Sequence, residues 1–143
     1  MVKKSLLLTA LVLGLVAPVL AAGPDPSLVG FWKFEGDTLD SSGNDRTGTL
    51  VGNATFAAGL DGQALTLDGS GDYMRADGYT GILGGNPFTI VAWVNSTATN
   101  DRTMVCWGTN VNGQRVDFRL GSGRLRVEHG NGNLQGSTTV SDG

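Results

Sequence analysis

Oxygen-bearing side chains concentrate in one glycine- and serine-rich stretch near the start of the chain. Within eleven residues it contains Glu35, Asp37, Asp40, Asn44 and Asp45. Calcium binds roughly six to eight oxygens from carboxylates, amides and backbone carbonyls, and a flexible acidic loop can supply them. Asp, Asn and Ser are also the usual residues of turns, and the spacing does not match an EF-hand loop. The stretch therefore fits two interpretations, a calcium site and a series of turns.

Glycoside hydrolysis is the first enzymatic chemistry to consider, because it usually needs a pair of carboxylates at a fixed separation. The chain has two glutamates, Glu35 and Glu128. Glu35 and Asp37 come where a predicted strand breaks into a turn, which favours a turn or metal role over a catalytic one. His129 is the single histidine, and no activated serine or zinc-type spacing surrounds it. We predict no catalytic residue, with a fragment of a secreted glycan hydrolase as the alternative.

The first 22 residues have the layout of a secretory signal, with Lys3 and Lys4 before an apolar run over 6–20 and small residues after it. We predict a signal-peptide helix over 1–22, one domain over 23–143 and an exported protein, secreted or held at the cell surface. The apolar run is too short to span a bilayer comfortably. No membrane span is therefore expected after the signal is removed.

The charge of the chain limits which partners are expected, and its cysteine content limits what can stabilise the fold. The residues after position 22 include eight basic and 13 acidic side chains, a formal charge of −5. Nucleic acid, itself a polyanion, is therefore excluded from the expected partners. Cys106 is the single cysteine, so no internal disulfide can form and core burial must stabilise the domain.

Glycine supplies 23 of 143 residues, and short runs of alternating apolar and polar residues recur between Gly, Asn and Asp. No apolar stripe of helical spacing follows the signal, so we predict an all-β domain. The predicted strands cover 29–35, 47–51, 64–68, 72–75, 88–95, 103–107, 115–120, 124–129 and 138–140. Residues 88–94 are apolar on both faces, which is typical of a central strand.

The hairpin over residues 115–128 is the best-specified local structure. Apolar and charged side chains alternate on both of its strands, so one face should be apolar and the other polar. A two-residue turn at 121–122, with glycine first, opposes Asp117 to Arg126. Moving the turn by one residue would instead oppose Asp117 to Glu128, two like charges. We therefore predict the turn at 121–122.

An ordered series of short motifs runs through the chain. The motifs are LVGFWKFE (28–35), DSSGN (40–44), GTL (48–50), GLDGQAL (59–65), LDG (67–69), DY (72–73) and FTI with AWV (88–94). In order and approximate spacing they resemble the laminin-G-like, concanavalin-A-type domains of secreted bacterial proteins. The resemblance covers essentially all of residues 28–143.

The resemblance implies an antiparallel two-sheet jelly-roll β-sandwich, usually with calcium near one rim. It implies calcium contacts at Asp40 and Asn44, with Asp37 as a weaker candidate. Thr47 stands where such domains often carry Asp or Asn, which removes one ligand. A segment like 138–143 normally leads into further strands in such domains. The resemblance therefore also implies an incomplete sandwich, truncated at its C-terminus, that associates or binds hydrophobic dyes.

We therefore predict a non-catalytic recognition module of an exported protein that binds a glycan or a cell-surface or extracellular protein, with calcium as the expected cofactor. A structural interaction domain without a small-molecule ligand is the other alternative. Tyr73 and Tyr79 are candidates to stack on sugars, although no residue is assigned to a ligand site. Trp32, Trp93 and Trp107 are expected in the core rather than as sugar platforms.

Overall fold

The computed structural model describes residues 25–82, 84–109, 111, 114–130 and 132–141. The predicted all-β class is confirmed, since these residues form eight strands and no helix. The strands are β1 Thr49–Val51, β2 Thr55–Ala58, β3 Gln63–Thr66, β4 Tyr73–Arg75, β5 Arg102–Gly108, β6 Arg115–Gly121, β7 Arg124–His129 and β8 Gly132–Thr139. No helix capable of crossing a membrane occurs in this part of the chain. The signal-peptide helix predicted for 1–22 lies outside the described residues.

All strand pairing is antiparallel, in three sheets. β1 pairs with β4, β2 pairs with β3, and β5, β6, β7 and β8 form a four-stranded sheet in chain order. Such a meander is the simplest sheet for a chain with short turns, because each strand pairs with the one that follows it. β6 and β7 are the central strands, and β5 and β8 are its edges. β2 was not predicted, whereas the predicted strands over 115–120 and 124–129 agree with β6 and β7 to within one residue.

The best-buried apolar side chains lie on β6. Val116 is 5% exposed and Leu120 is 2% exposed, and Phe118 between them is half-buried. Because successive side chains of a strand point to opposite faces, these three share one face of the four-stranded sheet. Leu125 and Val127 of β7 are opposite Leu120 and Phe118 and extend that face. The predicted apolar face of the hairpin is confirmed.

The turn between β6 and β7 lies one residue later than predicted. Asp117 is opposite Glu128, so the predicted register was wrong. Ser122 and Gly123 have φ angles of 52° and 72°, the two positive values of a type I′ turn. The opposed carboxylates are tolerated because arginines at diagonal positions reach both of them. Counting only directly opposed residues misses these diagonal contacts.

Residues 29–35 were predicted to form a strand, and this was wrong. Their one ladder contact is an isolated bridge between Trp32 and Asp40. Phe34 has a φ of 59°, a left-handed conformation that interrupts an extended segment. The backbone N–H of Phe31 donates to the Asp40 carboxylate at 2.9 Å. Side-chain hydrogen bonding has replaced a strand ladder here.

Residues 88–95 were predicted to form a central strand, and this too was wrong. No described strand pairs with them. Residues 92–94 lie beside the apolar face of the four-stranded sheet and line an open cleft of about 200 Å³ with it. Val91 and Trp93 are each 86% exposed, so the core position expected for Trp93 was also wrong. The apolar pattern is that of a strand, but a strand also requires a paired neighbour, and β5 pairs only with β6.

Candidate functional site

The polar face of the four-stranded sheet carries the densest set of charged side chains that the structure describes. We call it the charged face. Alternation and register place the following side chains on it: Thr103 and Cys106 of β5, Arg115, Asp117 and Arg119 of β6, Arg124, Arg126 and Glu128 of β7, and Asn133, Gln135 and Thr139 of β8. The central strands supply the ionised groups, and the edge strands supply uncharged polar groups.

Glu128 is the centre of the ion pairs on this face. Its Oε2 lies 3.0 Å from Arg115 Nη2, and its Oε1 lies 3.0 Å from Arg126 Nη2 and 3.5 Å from Arg119 Nη1. Arg115 and Arg119 approach from β6 and Arg126 from its own strand. Three guanidinium groups therefore fix one carboxylate, which removes most of the rotational freedom of four long side chains.

Asp117 is the other carboxylate of the charged face and is almost fully buried, at 4% exposure. Arg119 Nη1 lies 3.4 Å and Arg115 Nη2 lies 3.8 Å from its Oδ2. The Thr103 hydroxyl donates to its Oδ1 at 3.0 Å. A buried carboxylate is costly unless it is paired and hydrogen-bonded, and these three neighbours meet that requirement.

Cys106 lies opposite Asp117 on the charged face. Cys106 is exposed as a residue, but partial burial of its thiol, and after it the negative charge of Asp117, raises the pKa of that thiol. The thiolate is the nucleophilic form of cysteine. Cys106 is a free thiol, and its position disfavours a role as a nucleophile.

Exposed polar groups surround the ion pairs. Asn133 is opposite Glu128 and Gln135 is opposite Arg126 on β8, and both are exposed. Gln135 Nε2 donates to the Gly121 carbonyl at 2.8 Å, which holds that amide at the edge of the face. Asp101, just before β5, forms an ion pair with Arg119. The charged face thus has a fixed ionic centre and an accessible polar border.

The loop predicted to bind calcium is organised around Asp40. Its Oδ1 accepts hydrogen bonds from the N–H groups of Phe31 and Ser42, both at 2.9 Å, and its Oδ2 accepts from the Ser42 hydroxyl at 2.9 Å and the Arg46 N–H at 3.0 Å. Burial, the largest single influence, acts to raise the pKa of Asp40, but these hydrogen bonds together lower it to about 2. The carboxylate already has as many donors as it has lone pairs to accept them.

The other two predicted calcium contacts are also engaged within the loop. The Asn44 amide donates to the carbonyls of Leu28 and Val29 and to the Ser42 hydroxyl. Asp37 Oδ1 accepts from the Leu39 N–H at 3.0 Å. Among the described residues no group of three or more His, Cys, Asp or Glu side chains is placed to hold a metal. As arranged, these residues do not fit a calcium ion, which would have to displace N–H donors from Asp40; the calcium site stays a prediction.

The other residues considered for chemistry are dispersed. Glu35 Oε2 accepts from the Gln63 N–H at 2.9 Å, so this carboxylate supports the turn before β3. The Arg46 guanidinium lies 3.8 Å from the centre of the Tyr79 ring, which leaves at most one ring face for a sugar. Tyr73 on β4 is 45% exposed. Each belongs to a separate local structure.

Sequence reasoning recognised the alternation of charges on residues 115–128 but not that they form a site. The sequence pattern that points to this face was present, because Arg and acidic residues occupy every second position of β6 and β7. What was missing was the pairing with β5 and β8, which supplies Thr103, Asn133 and Gln135.

Comparisons with known proteins found no matching family model, no matching curated protein and no matching solved structure. The resemblance to laminin-G-like domains therefore stays a prediction.

Proposed function

We propose that the chain is a non-catalytic recognition module of an exported protein and that it binds carbohydrate on the charged face. One observation carries the proposal: donors and acceptors of fixed orientation alternate across this face. Sugar hydroxyls both donate and accept hydrogen bonds, so a surface that offers both kinds of partner in a rigid array suits them. Because Arg119 and Glu128 are held by their neighbours, binding loses little side-chain entropy there.

The accessible border of the charged face supports the same function. Asn133 and Gln135 are exposed amides, and an amide can donate and accept at once. Arg124 and Thr139 are exposed as well and are opposite one another in the β7–β8 ladder. A ligand would contact this border first and the ionic centre through the half-buried Glu128. The expected two-layer jelly-roll sandwich belongs to this proposal, with the charged face as the ligand-facing side of one layer.

A glycan hydrolase is the second candidate function, because Asp117 and Glu128 are directly opposite one another. Carboxylates on adjacent strands can lie at the separation that glycoside hydrolysis requires. Their surroundings favour the non-catalytic function. Guanidinium groups occupy oxygens of both carboxylates, so neither is free to pass a proton to a glycosidic oxygen.

The test is binding of the full chain to a broad panel of polysaccharides by affinity electrophoresis, followed by calorimetry on any that bind. We expect Glu128→Gln and Asn133→Ala to weaken binding to uncharged polysaccharides by about tenfold, because each loses a hydrogen-bonding partner for sugar hydroxyls. Glu35→Gln is the matched control, since it makes the same change at the only other glutamate, and should bind as the unmodified chain does. Circular dichroism would verify that each variant keeps its strands.

Absence of binding across the panel, or unchanged binding by both Glu128→Gln and Asn133→Ala, would contradict the proposal. Release of reducing ends from a bound polysaccharide, abolished in Glu128→Gln, would replace it with the hydrolase.

A further inference from the structure

The charged face has a net positive charge, whereas the chain as a whole is acidic. Eight basic residues follow position 22, and half of them belong to this face: Arg115, Arg119, Arg124 and Arg126. The carboxylates of the face are Asp117 and Glu128, with Asp101 at its edge. The face therefore carries one more positive than negative charge, whereas all residues after position 22 together carry −5. A surface of opposite sign to its surroundings attracts a ligand of the opposite charge.

The charged face also has more donors than acceptors. The Nε atoms of Arg119 and Arg126 are buried and have no hydrogen-bond partner among the described residues. The carboxylates nearby already accept from several guanidinium nitrogens each. A ligand cannot reach these buried Nε atoms, so a further acceptor oxygen at this face would have to meet the nitrogens of an exposed arginine.

Arg124 is the arginine best placed to meet a ligand. It is exposed, and no ion pair or side-chain hydrogen bond engages it in the part of the chain that the structure describes. The β6 residue opposite Arg124 is Gly121, over which the Arg126 side chain and the Asp101 carboxylate lie. The β8 residue opposite Arg124 is Thr139. Arg124 is therefore the exposed arginine of the charged face, with Thr139 beside it in the ladder.

We propose that the carbohydrate recognised by the charged face is acidic, and that a uronate carboxylate of it pairs with Arg124. This inference rests on the proposed function, because it specifies the ligand class of the same face. Arginine presents a planar pair of N–H donors that matches the two oxygens of a carboxylate. Thr139 adds a hydroxyl beside that pair. Neighbouring Arg126 keeps its Nη2 on Glu128, so Arg124 is the arginine left to meet the ligand.

The experiment compares polyuronates of different backbones with their methyl esters, each of which has the same sugar ring without the charge. We expect the full chain to bind at least one polyuronate about tenfold more tightly than its ester. Arg124→Gln should remove that preference and leave binding to the ester unchanged. Arg75→Gln is the matched control, because Arg75 is also exposed but belongs to β4 and pairs with Asp77. Raising the salt concentration should weaken binding to the polyuronate only.

Equal affinity for polyuronate and ester, or an Arg124→Gln variant that keeps the preference, would overturn the acidic ligand. The proposed carbohydrate recognition would still hold in that case if neutral glycans bind and Asn133→Ala weakens their binding. A preference for sulfated over carboxylated glycans would also overturn the uronate. Absence of binding to every glycan would remove both proposals together.

Discussion

Asp40 and Asp117 are both saturated carboxylates, but the molecule holds them in opposite ways. Asp40 accepts its hydrogen bonds from backbone N–H groups and a hydroxyl within nine residues of it. Asp117 is held by Arg115, Arg119 and Thr103, which the sheet brings together across adjacent strands. The first arrangement is local and uncharged on the donor side, whereas the second depends on the register of the whole sheet.

The two carboxylates differ in how strongly their removal should destabilise the fold. Losing a local acceptor releases a few N–H groups to water at low cost, because they are close to the surface. Losing the buried carboxylate of Asp117 removes one of the counter-charges of Arg115 and Arg119 and leaves a polar gap inside the charged face. We therefore expect the largest loss of stability from a change at Asp117, a smaller one at Asp40 and the smallest at Asp37.

Asp117→Ala should be the most destabilising change, lowering the free energy of unfolding by about 3 kcal/mol, because it leaves Arg115 and Arg119 without their buried partner. Urea unfolding at neutral pH measures this effect. Asp77→Ala, which breaks an exposed pair with Arg75, is the control and should cost about 0.5 kcal/mol or less. Equal losses in the two variants would show that the burial of Asp117 is unimportant.

Asp40→Ala should lower the free energy of unfolding by about 1 to 2 kcal/mol, because three backbone N–H groups and one hydroxyl lose their acceptor. The thermal midpoint of the unmodified chain, measured with EDTA and with about 1 mM calcium, tests the alternative role, since extracellular sites bind in this range. We expect no shift between the two. A calcium-dependent rise that Asp40→Ala abolishes would contradict the hydrogen-bond role.

The stabilising contribution of Asp40 should be lost only at a pH below the ordinary pKa of an aspartate. The pKa of Asp40 is lowered from 3.8 to about 2, so its contribution is complete above pH 3.8 and disappears as the pH falls through 2. We expect about 1 kcal/mol of stability to be lost in that window, after allowance for solvent screening. The difference in unfolding free energy between the unmodified chain and Asp40→Asn, followed from pH 5 down to about pH 2, should shrink accordingly.

Asp37→Asn should have the smallest effect, about 0.3 kcal/mol or less, because asparagine retains an oxygen for the Leu39 N–H in the same exposed turn. Urea unfolding at neutral pH is again the measurement. A loss as large as that of Asp40→Ala would show that the loop is one cooperative unit rather than one organised by Asp40.

The two carboxylates also separate what the sequence could predict from what it could not. The strands of the β6–β7 hairpin followed from alternation, because one face of a sheet buries every second residue. Its register did not follow, since it depends on diagonal contacts of Arg115 and Arg119 and on a positive φ at Ser122. The composition of the Asp40 stretch allowed both turns and calcium, and only the donor positions distinguish between the two.

Segment 88–95 shows the limit most clearly. Its composition is that of a buried strand, yet no partner strand is present among the described residues and Trp93 is exposed. Side-chain pattern describes what a segment can bury, whereas pairing depends on which edges the rest of the chain offers. The charged residues of β6 and β7 could likewise be recognised from the sequence. The residues at the border of the charged face could not, because they lie on β5 and β8, whose pairing with β6 and β7 the sequence did not reveal.

The different environments of the three tryptophans provide separate optical reporters. The indole N–H groups of Trp32 and Trp107 donate to the carbonyls of Arg46 and Ile82, at 2.9 and 3.1 Å, whereas Trp93 is 86% exposed. Iodide should therefore quench mainly Trp93 in the folded chain. The emission shift on unfolding should come mainly from the other two. A Trp93→Phe chain would then report folding through Trp32 and Trp107 alone, with little background from solvent-exposed indole.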